Sequence, residues 1–393
     1  MSEPDTIDAI KVIDVDTHVI EPYDLWTSRV DTDRWGDKVP HVVWSEDRHE
    51  EVWVSGATVL SAAAGPAQAG YDKAPPNHPP RLVDADPRTW RTEDRLAAMD
   101  EFGIHAQILY PNVAGFGAGR FADPNDGELN LVLIKAYNDY LVDLASAAPG
   151  RLIPVMGLPF WDLELSIAEM HRCRDLGHRG VIFTQQPEFF GQPRLSSPHW
   201  DRLWAAAQDL DLSVNFHIGS GDMAGMSLLD PSAGVAANYA SFPVTFFLGN
   251  ARTIATLIGG GVCHRFPRLR FVSVESGVGW LPFMLEALDW MWAECRVRDE
   301  HPEYDLLPSE YFRRQIYGCF WFEHGASLSA AIETIGADNL LYETDFPHPT
   351  SMSPGPASTA LPAHRFIRER LGHLGVDVLR KICLLYTSDA ADE

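Results

Sequence analysis

Two acids and an imidazole crowd one short apolar run near the start of the chain. The run is KVIDVDTH, from Lys11 to His18, and it carries Asp14, Asp16 and His18 at spacings of two. On a strand that spacing predicts one common face for all three, shared with Val12, while Ile13 and Val15 face the other layer. Polar groups on a buried face cost desolvation free energy unless something pairs with them. Two carboxylates and an imidazole together therefore point to a cation. The alternative is that Asp16 and His18 only hydrogen-bond within the following turn.

Two later runs end in the same chemistry. LSVNFH ends at His217 and is followed by IGSGD; LLYETD ends at Asp345 and is followed by FPHP. His217 is either a ligand or a structural hydrogen-bonder. Asp345 could cap a helix, but Pro347 and Pro349 follow at once, so no helix starts there. Taken together, Asp16, His18, His217 and Asp345 are nitrogen and oxygen donors with no thiolate. Such a set suits Zn, Mn or Fe, and zinc is the first expectation. Three or four protein ligands leave a position open for water or substrate, as catalytic metal sites require.

To converge, these residues need elements that end at one place. Short apolar runs alternate with helical patterns along the whole chain, the rhythm of βα units and a parallel sheet. The strand expectations are Lys11 to Asp16, Ile104 to Tyr110, Leu152 to Leu158, Gly180 to Thr184, Leu212 to His217, Leu269 to Glu275, Gln315 to Phe320 and Leu340 to Asp345. Helices are expected over Thr92 to Phe102, Asn125 to Ala147, Leu163 to Leu176, Pro198 to Asp209, Phe242 to His264 and Ser327 to Ile335. Eight such strands close an α/β barrel of the (β/α)8, TIM-like type, whose catalytic residues sit at the C-terminal ends of the strands. Glu21 to Arg91 reads as an excursion inserted after the first strand, with a strand-like piece at Glu51 to Val54. Phe346 to Leu361, rich in Pro and Ser, reads as a loop over the barrel mouth.

The chain has 393 residues, 46% of them hydrophobic, with 31 Lys and Arg against 55 Asp and Glu, a formal net charge of −24. Such a chain repels phosphate backbones and anionic lipid, so nucleic-acid and membrane-surface partners are not expected. Five scattered cysteines with no CxxC argue against a disulfide framework or a thiolate zinc site. Gly219, Gly221 and Gly225 are not spaced as a phosphate fingerprint, and no P-loop is present. The acidic N-terminus lacks an apolar signal core, and no run reaches the length of a membrane span. A cytoplasmic protein is expected. One barrel domain is expected over 1–382. The last eleven residues, CLLYTSDAADE from Cys383 to Glu393, resemble a translated sequencing adapter and read as a non-native tail; an ordinary polar tail is the alternative.

The motifs resemble the amidohydrolase-related branch of the amidohydrolase superfamily, the aminocarboxymuconate semialdehyde decarboxylase-like metal-dependent enzymes. DxH after the first strand, His after the fifth and TDFPH after the eighth carry the resemblance, with RTEDRLAAMDEFGI, RLIPVMGLP, HRFPRLRFVSVESGVGW and YGCFWFEHG. It covers about Val12 to Ile382. The resemblance implies that Asp16 stands for the first residue of an HxH or ExH pair, and that His18, His217 and Asp345 are the other ligands. It also implies a homodimer. The fourth strand, GVIFTQQP, has no Lys, so a carbamylated-lysine binuclear site is not expected and one divalent ion is. At the sixth strand, where the family carries a catalytic His, this chain has Glu275. Glu275 is then a proton donor or base, an extra ligand, or a buried salt-bridge partner.

His348, Glu323 and Trp280 are candidates for the substrate side of the mouth, beside His324, Phe320, Trp321 and Phe322; a loop histidine and plain core aromatics are the bland alternatives. His264 reads as a helix end. Two reactions fit. One is loss of CO2 from a small aromatic or enol carboxylate, with Asp345 or Glu275 as the acid. The other is hydrolysis of a small amide, ester or lactone by a metal-activated water, with Asp345 accepting the proton. A barrel that binds a small molecule without turning it over is the remaining alternative.

Overall fold

Residues 7–121, 126–221 and 230–384 are described in a computed structural model of the chain. Gly225 and residues 385–393 of the tail lie outside them. Cys383 is buried, in a helix over Val376–Leu384.

The first strand is β1 (Val12–His18). Within the excursion follow β2 (His41–Ser45), β3 (Glu50–Ser55) and β4 (Thr58–Ala62). The remaining strands are β5 (Ile104–Tyr110), β6 (Leu152–Met156), β7 (Gly180–Ile182), β8 (Ser213–His217), β9 (Phe271–Val274), β10 (Ile316–Phe320) and β11 (Leu340–Tyr342). β1 and β5 to β11 lie side by side in chain order, all neighbours parallel, with helices between them. Backbone bonds then join the two ends of this sheet. His18 N donates to Phe346 O at 2.6 Å and Asp345 N to Asp16 O at 2.9 Å. The result is the expected (β/α)8 barrel.

The barrel strands are apolar on both faces because both are buried. Ile13, Val15, Ile108, Val155, Ile182 and Val272 fill the interior. Val12, Leu109, Leu152, Val181, Val214 and Phe271 pack outward against the helices. The helix over Leu163–Leu176 starts where Asp162 accepts from Leu165 N at 3.0 Å and stops at Gly177, φ 109°. The helix over Thr92–Phe102 also keeps its expected bounds. The helix expected over Phe242 to His264 is broken instead into Phe247–Gly259 and Val262–Arg265. Gly261 between them has φ 70°, and a Cβ there would collide with the Tyr304 hydroxyl. Two further helices, Leu281–Glu294 and Pro308–Gln315, precede β10.

The excursion forms an antiparallel meander, β2-β3-β4, whose middle strand contains the expected Glu51 to Val54. It reaches the barrel mouth: Gln68 N and Ala69 N both donate to Pro347 O at 3.0 Å. The stretch from Phe346 to Leu361 is irregular, and its Met352, Ser353 and Pro354 line the cavity that Asp14 and Arg95 also line.

One expectation is corrected. Asp14 does not share a face with Asp16 and His18. Between Asp14 and Thr17 the register of β1 against β5 shifts, the mark of a β-bulge. The extra residue reverses the alternation. Ile13 and Val15 point into the barrel, whereas Asp14 lies behind the sheet, lining a small cavity with Arg95, Met99 and Phe102. After the bulge Asp16 and His18 face the mouth. Among the described residues no helix is long and apolar enough to cross a membrane, and all five cysteines are free.

Candidate metal centre

Four strand ends deliver four side chains to one point. His18 closes β1, His217 closes β8, Glu275 follows β9 and Asp345 follows β11 by three residues. His18 Nε2 lies 3.4 Å from Asp16 Oδ1 and 3.4 Å from Asp345 Oδ1. His217 Nε2 lies 3.5 Å from Asp16 Oδ1, 3.3 Å from Glu275 Oε2 and 3.1 Å from His18 Nε2. Asp16, His18, His217 and Asp345 are each 0% exposed. Asp16, His18, His217 and Glu275 form one group of possible donors, and His18, Glu275, Asp345 and His348 form a second that shares His18 and Glu275 with it.

The donor chemistry fits a divalent cation. His18 Nδ1 is 3.1 Å from Pro111 O and His217 Nδ1 is 2.7 Å from Ile218 O. A carbonyl can only accept, so each Nδ1 carries a proton, and in the neutral ring each Nε2 presents a lone pair. Such second partners commonly orient metal-binding imidazoles. Two facing lone pairs repel unless a proton or cation lies between them. Asp16 Oδ1 and Asp345 Oδ1 are fully buried and face imidazole nitrogens, at 3.4 Å or more for Asp16, and burying carboxylates is costly unless a cation pairs with them.

Electrostatics of the side chains alone give the same picture. Burial opposes charge on His18, yet hydrogen bonds to Asp16 and Asp345 raise its pKa to about 9. Burial pushes Asp16 up, but the His217 and His18 imidazoles outweigh it and hold the carboxyl below its ordinary value. Asp345 is held down likewise, by His348 and His18 against burial. Burial and the neighbouring Asp345 and Asp16 charges drive Glu275 well above the carboxylate range. This excess of negative charge is what a divalent ion would neutralise.

Two of the carboxylates sit on strained backbone. Glu275 has φ 53° and Asp345 φ 58°, in the left-handed region. Each such residue costs of order 1–3 kcal/mol, and residues of this kind cluster at functional sites. Thr350 Oγ1 bonds Asp345 Oδ2, and lies 3.5 Å from Glu275 Oε1.

The amidohydrolase family profile matches residues 13–384. The chain belongs to the amidohydrolase family. This amidohydrolase is 27% identical over 296 residues to a gamma-resorcylate decarboxylase of a Polaromonas species, covering 71% of this chain and 82% of the relative. It is 23% identical over 271 residues to a 2-amino-3-carboxymuconate-6-semialdehyde decarboxylase of Dictyostelium discoideum, covering 68% and 69%. Among solved structures, an amidohydrolase from Mycobacterium avium subsp. paratuberculosis superposes with a TM-score of 0.74 at 21% identity, over 97% of this chain and 99% of that one. A dihydroxybenzoic acid decarboxylase from Polaromonas, solved with bound manganese and the inhibitor 2-nitroresorcinol, gives 0.58 at 18%, over 98% and 97%. These two likenesses speak to the fold.

The other candidates of this amidohydrolase are placed as follows. His348 joins the cluster: its Nδ1 is 2.8 Å from Asp345 Oδ1, its Nε2 2.6 Å from Asn112 Oδ1, and its ring stacks on His18 at 3.6 Å. Glu323 turns its carboxylate to backbone donors, accepting from Val278 N at 2.7 Å, Trp321 N at 2.9 Å and Gly279 N at 3.1 Å. Trp280 donates its indole N–H to Ser276 O at 2.8 Å and packs on Phe247. His324 is exposed and bonds Phe322 O, and His264 lies in the short helix Val262–Arg265. Sequence reasoning passed over Glu343, a fully buried carboxylate whose Oε2 accepts from Glu275 N at 3.0 Å. Its spacing of two from Asp345 was the available signal. It also passed over Phe116, whose ring stacks on His217 at 4.0 Å; a lone Phe in a Gly-rich loop carries no such signal.

Proposed function

We propose that this amidohydrolase is a carboxy-lyase that releases CO2 from a small aromatic or enol carboxylate, using one divalent ion. The decarboxylase relatives support the substrate class. The observation that carries the reading is two overlapping donor groups, Asp16, His18, His217 and Glu275, and His18, Glu275, Asp345 and His348, with the buried Glu275 carboxyl 3.3 Å from His217. A divalent ion bound there would supply positive charge for a substrate carboxylate and a neighbouring hydroxyl. Asp16, His18, His217 and Asp345 would hold that ion. Glu275, whose carboxyl burial and the neighbouring Asp345 and Asp16 charges keep protonated, gives a proton to the ring carbon as its bond to the carboxylate breaks, and the electron pair of that bond takes up the proton; Asp345 stays ionised beside it. His217 keeps the acid in place, and His348, Glu323 and Trp280 shape the substrate side. Zinc is the first candidate ion, with manganese or iron also compatible with the donors. The rest of the reading is one barrel domain over 1–382 ahead of a foreign tail, acting as a homodimer in the cytoplasm.

A second reading rests on Asp345 Oδ1, fully buried and 2.8 Å from His348 Nδ1. That carboxylate can take a proton from water and pass it to the leaving group of an amide, ester or lactone. Incubation of the metal-loaded protein with 2,6-dihydroxybenzoate, and separately with activated esters and lactones, separates the two. Release of CO2 supports decarboxylation. Product acids without CO2 overturn it in favour of hydrolysis.

A further inference from the structure

The two strands that end in His18 and Asp345 are also the two that must meet to close the barrel. Direct pairing between them is slight. It consists of the Thr17–Phe346 bridge and the bonds from His18 N and Asp345 N. Behind this seam, on the side away from the metal centre, lies a buried polar group that the chemistry does not use. Arg95 is 4% exposed, on the helix that packs over β1 and β5. Its Nε donates to Gln107 Oε1 at 2.7 Å and its Nη1 to His18 O at 2.7 Å. Its guanidinium sits 5.1 Å from the centre of the Phe346 ring. Asp14, fully buried, accepts from Thr344 N at 2.9 Å and from Thr344 Oγ1 at 2.5 Å. Arg95 and Asp14 line one cavity of about 20 Å³, room for a single water.

We propose that Arg95 and Asp14 are positioning residues: a brace behind the barrel wall that sets the gap between His18 and Asp345. The proposal rests on the metal-centre reading above. Arg95 fixes the carbonyl of His18 while Phe346 fixes its N–H, so the peptide groups on both sides of this residue are held. Asp14 fixes Thr344 and Arg95 packs on Phe346, the two neighbours of Asp345. A buried charge is expensive to retain, and an apolar pair would close the same wall at lower cost. What the two polar side chains add is direction, since Arg95 bonds the backbone of His18 and Asp14 that of Thr344, the neighbour of Asp345. Partners at this remove from a metal commonly change its affinity by about 10–100-fold when lost. The bulge in β1 is what turns Asp14 outward to do this, so one irregularity serves both the centre and its support.

Cobalt(II) binding to the full-length protein tests the brace, by chelator competition and by the visible band of the bound ion. Arg95→Met should fold, by far-UV circular dichroism, yet bind cobalt about tenfold or more weakly with an altered band. Arg95→Lys, which keeps charge but not the fork of donors, should fall between it and wild type. Thr344→Val, which removes only the hydroxyl that Asp14 holds, should weaken binding about threefold or more. Arg88→Met, on a nearby side chain that pairs with Asp86, should match wild type. If Arg95→Met fails to fold, Thr344→Val decides alone. Affinities within about twofold of wild type, with an unchanged band, in whichever of these two variants fold overturn the brace. A wild-type protein that takes up no cobalt overturns the metal-centre reading instead.

Discussion

His18 Nε2 and His217 Nε2 face each other at 3.1 Å although the two residues are 199 positions apart in the chain. Each imidazole has committed its other nitrogen to a backbone carbonyl. In the neutral rings both Nε2 atoms present lone pairs, so a proton or a cation must lie between or beside them. The metal account starts from this pair.

His217→Ala removes one of the two facing nitrogens and leaves Asp16 Oδ1 and Glu275 Oε2 without the imidazole that lies 3.5 and 3.3 Å from them. The variant should retain less than about a tenth of the metal that wild type holds, since loss of one of three or four ligands opens the site. Elemental analysis after gel filtration measures this. Full retention would remove His217 from the ligand set.

Glu275→Gln keeps the shape beside Thr350 but cannot give up a carboxyl proton. With metal content unchanged, the rate of CO2 release should fall about 10²–10⁴-fold, the usual contribution of a positioned acid. A wild-type rate in a fully loaded variant would leave Glu275 a spectator.

Stability without metal should fall as pH rises from about 6.5 to 9. The His18 pKa is raised from 6.5 to about 9 by its carboxylate neighbours, against the opposing effect of burial. A raised pKa means the folded state binds more protons in that window, so the stabilisation is complete below 6.5 and lost through 9. Asp14, raised by burial from 3.8 to about 7, acts with the same sign at lower pH. Metal binding, which needs neutral imidazole, should strengthen over the same window. Thermal melts of chelator-treated and metal-loaded protein at several pH values check both. A chelator-treated protein that grows more stable from pH 6.5 to 9 would contradict the assignment of His18.

Gly117→Ala should destabilise the fold by about 1–3 kcal/mol and disturb the Phe116 contact with His217. Gly117 has φ 102°, and a Cβ there would lie 2.7 Å from Thr184 N. A melting temperature equal to that of wild type would show that the loop after β5 adapts freely.

The barrel and its ligands were legible for one reason. Each apolar run ends at the mouth, so His18, His217 and Asp345 announced themselves as polar residues ending buried strands. What could not be read was local irregularity. VIDVDTH alternates cleanly, and nothing in it marks the bulge that puts Ile13 and Val15 inside and Asp14 behind the wall. Glu275 and Asp345 reach the centre through left-handed backbone that periodicity does not encode. The strand at Glu51 to Val54 was visible because Val52 and Trp53 are buried. Its partners β2 and β4 are largely half-exposed and carry no sharp pattern. Glu323 was placed at the mouth by its position after β10, but three backbone N–H groups claim its carboxylate. That competition is settled only by the fold of the following turn.

The most direct test of the central claim is anomalous diffraction from a crystal of the manganese- or zinc-loaded protein, collected at the metal edge. A single strong peak is expected about 2.0–2.3 Å from His18 Nε2, His217 Nε2 and an oxygen of Asp345. A loaded crystal with no peak within about 3 Å of those atoms, or with its metal held elsewhere, would contradict it.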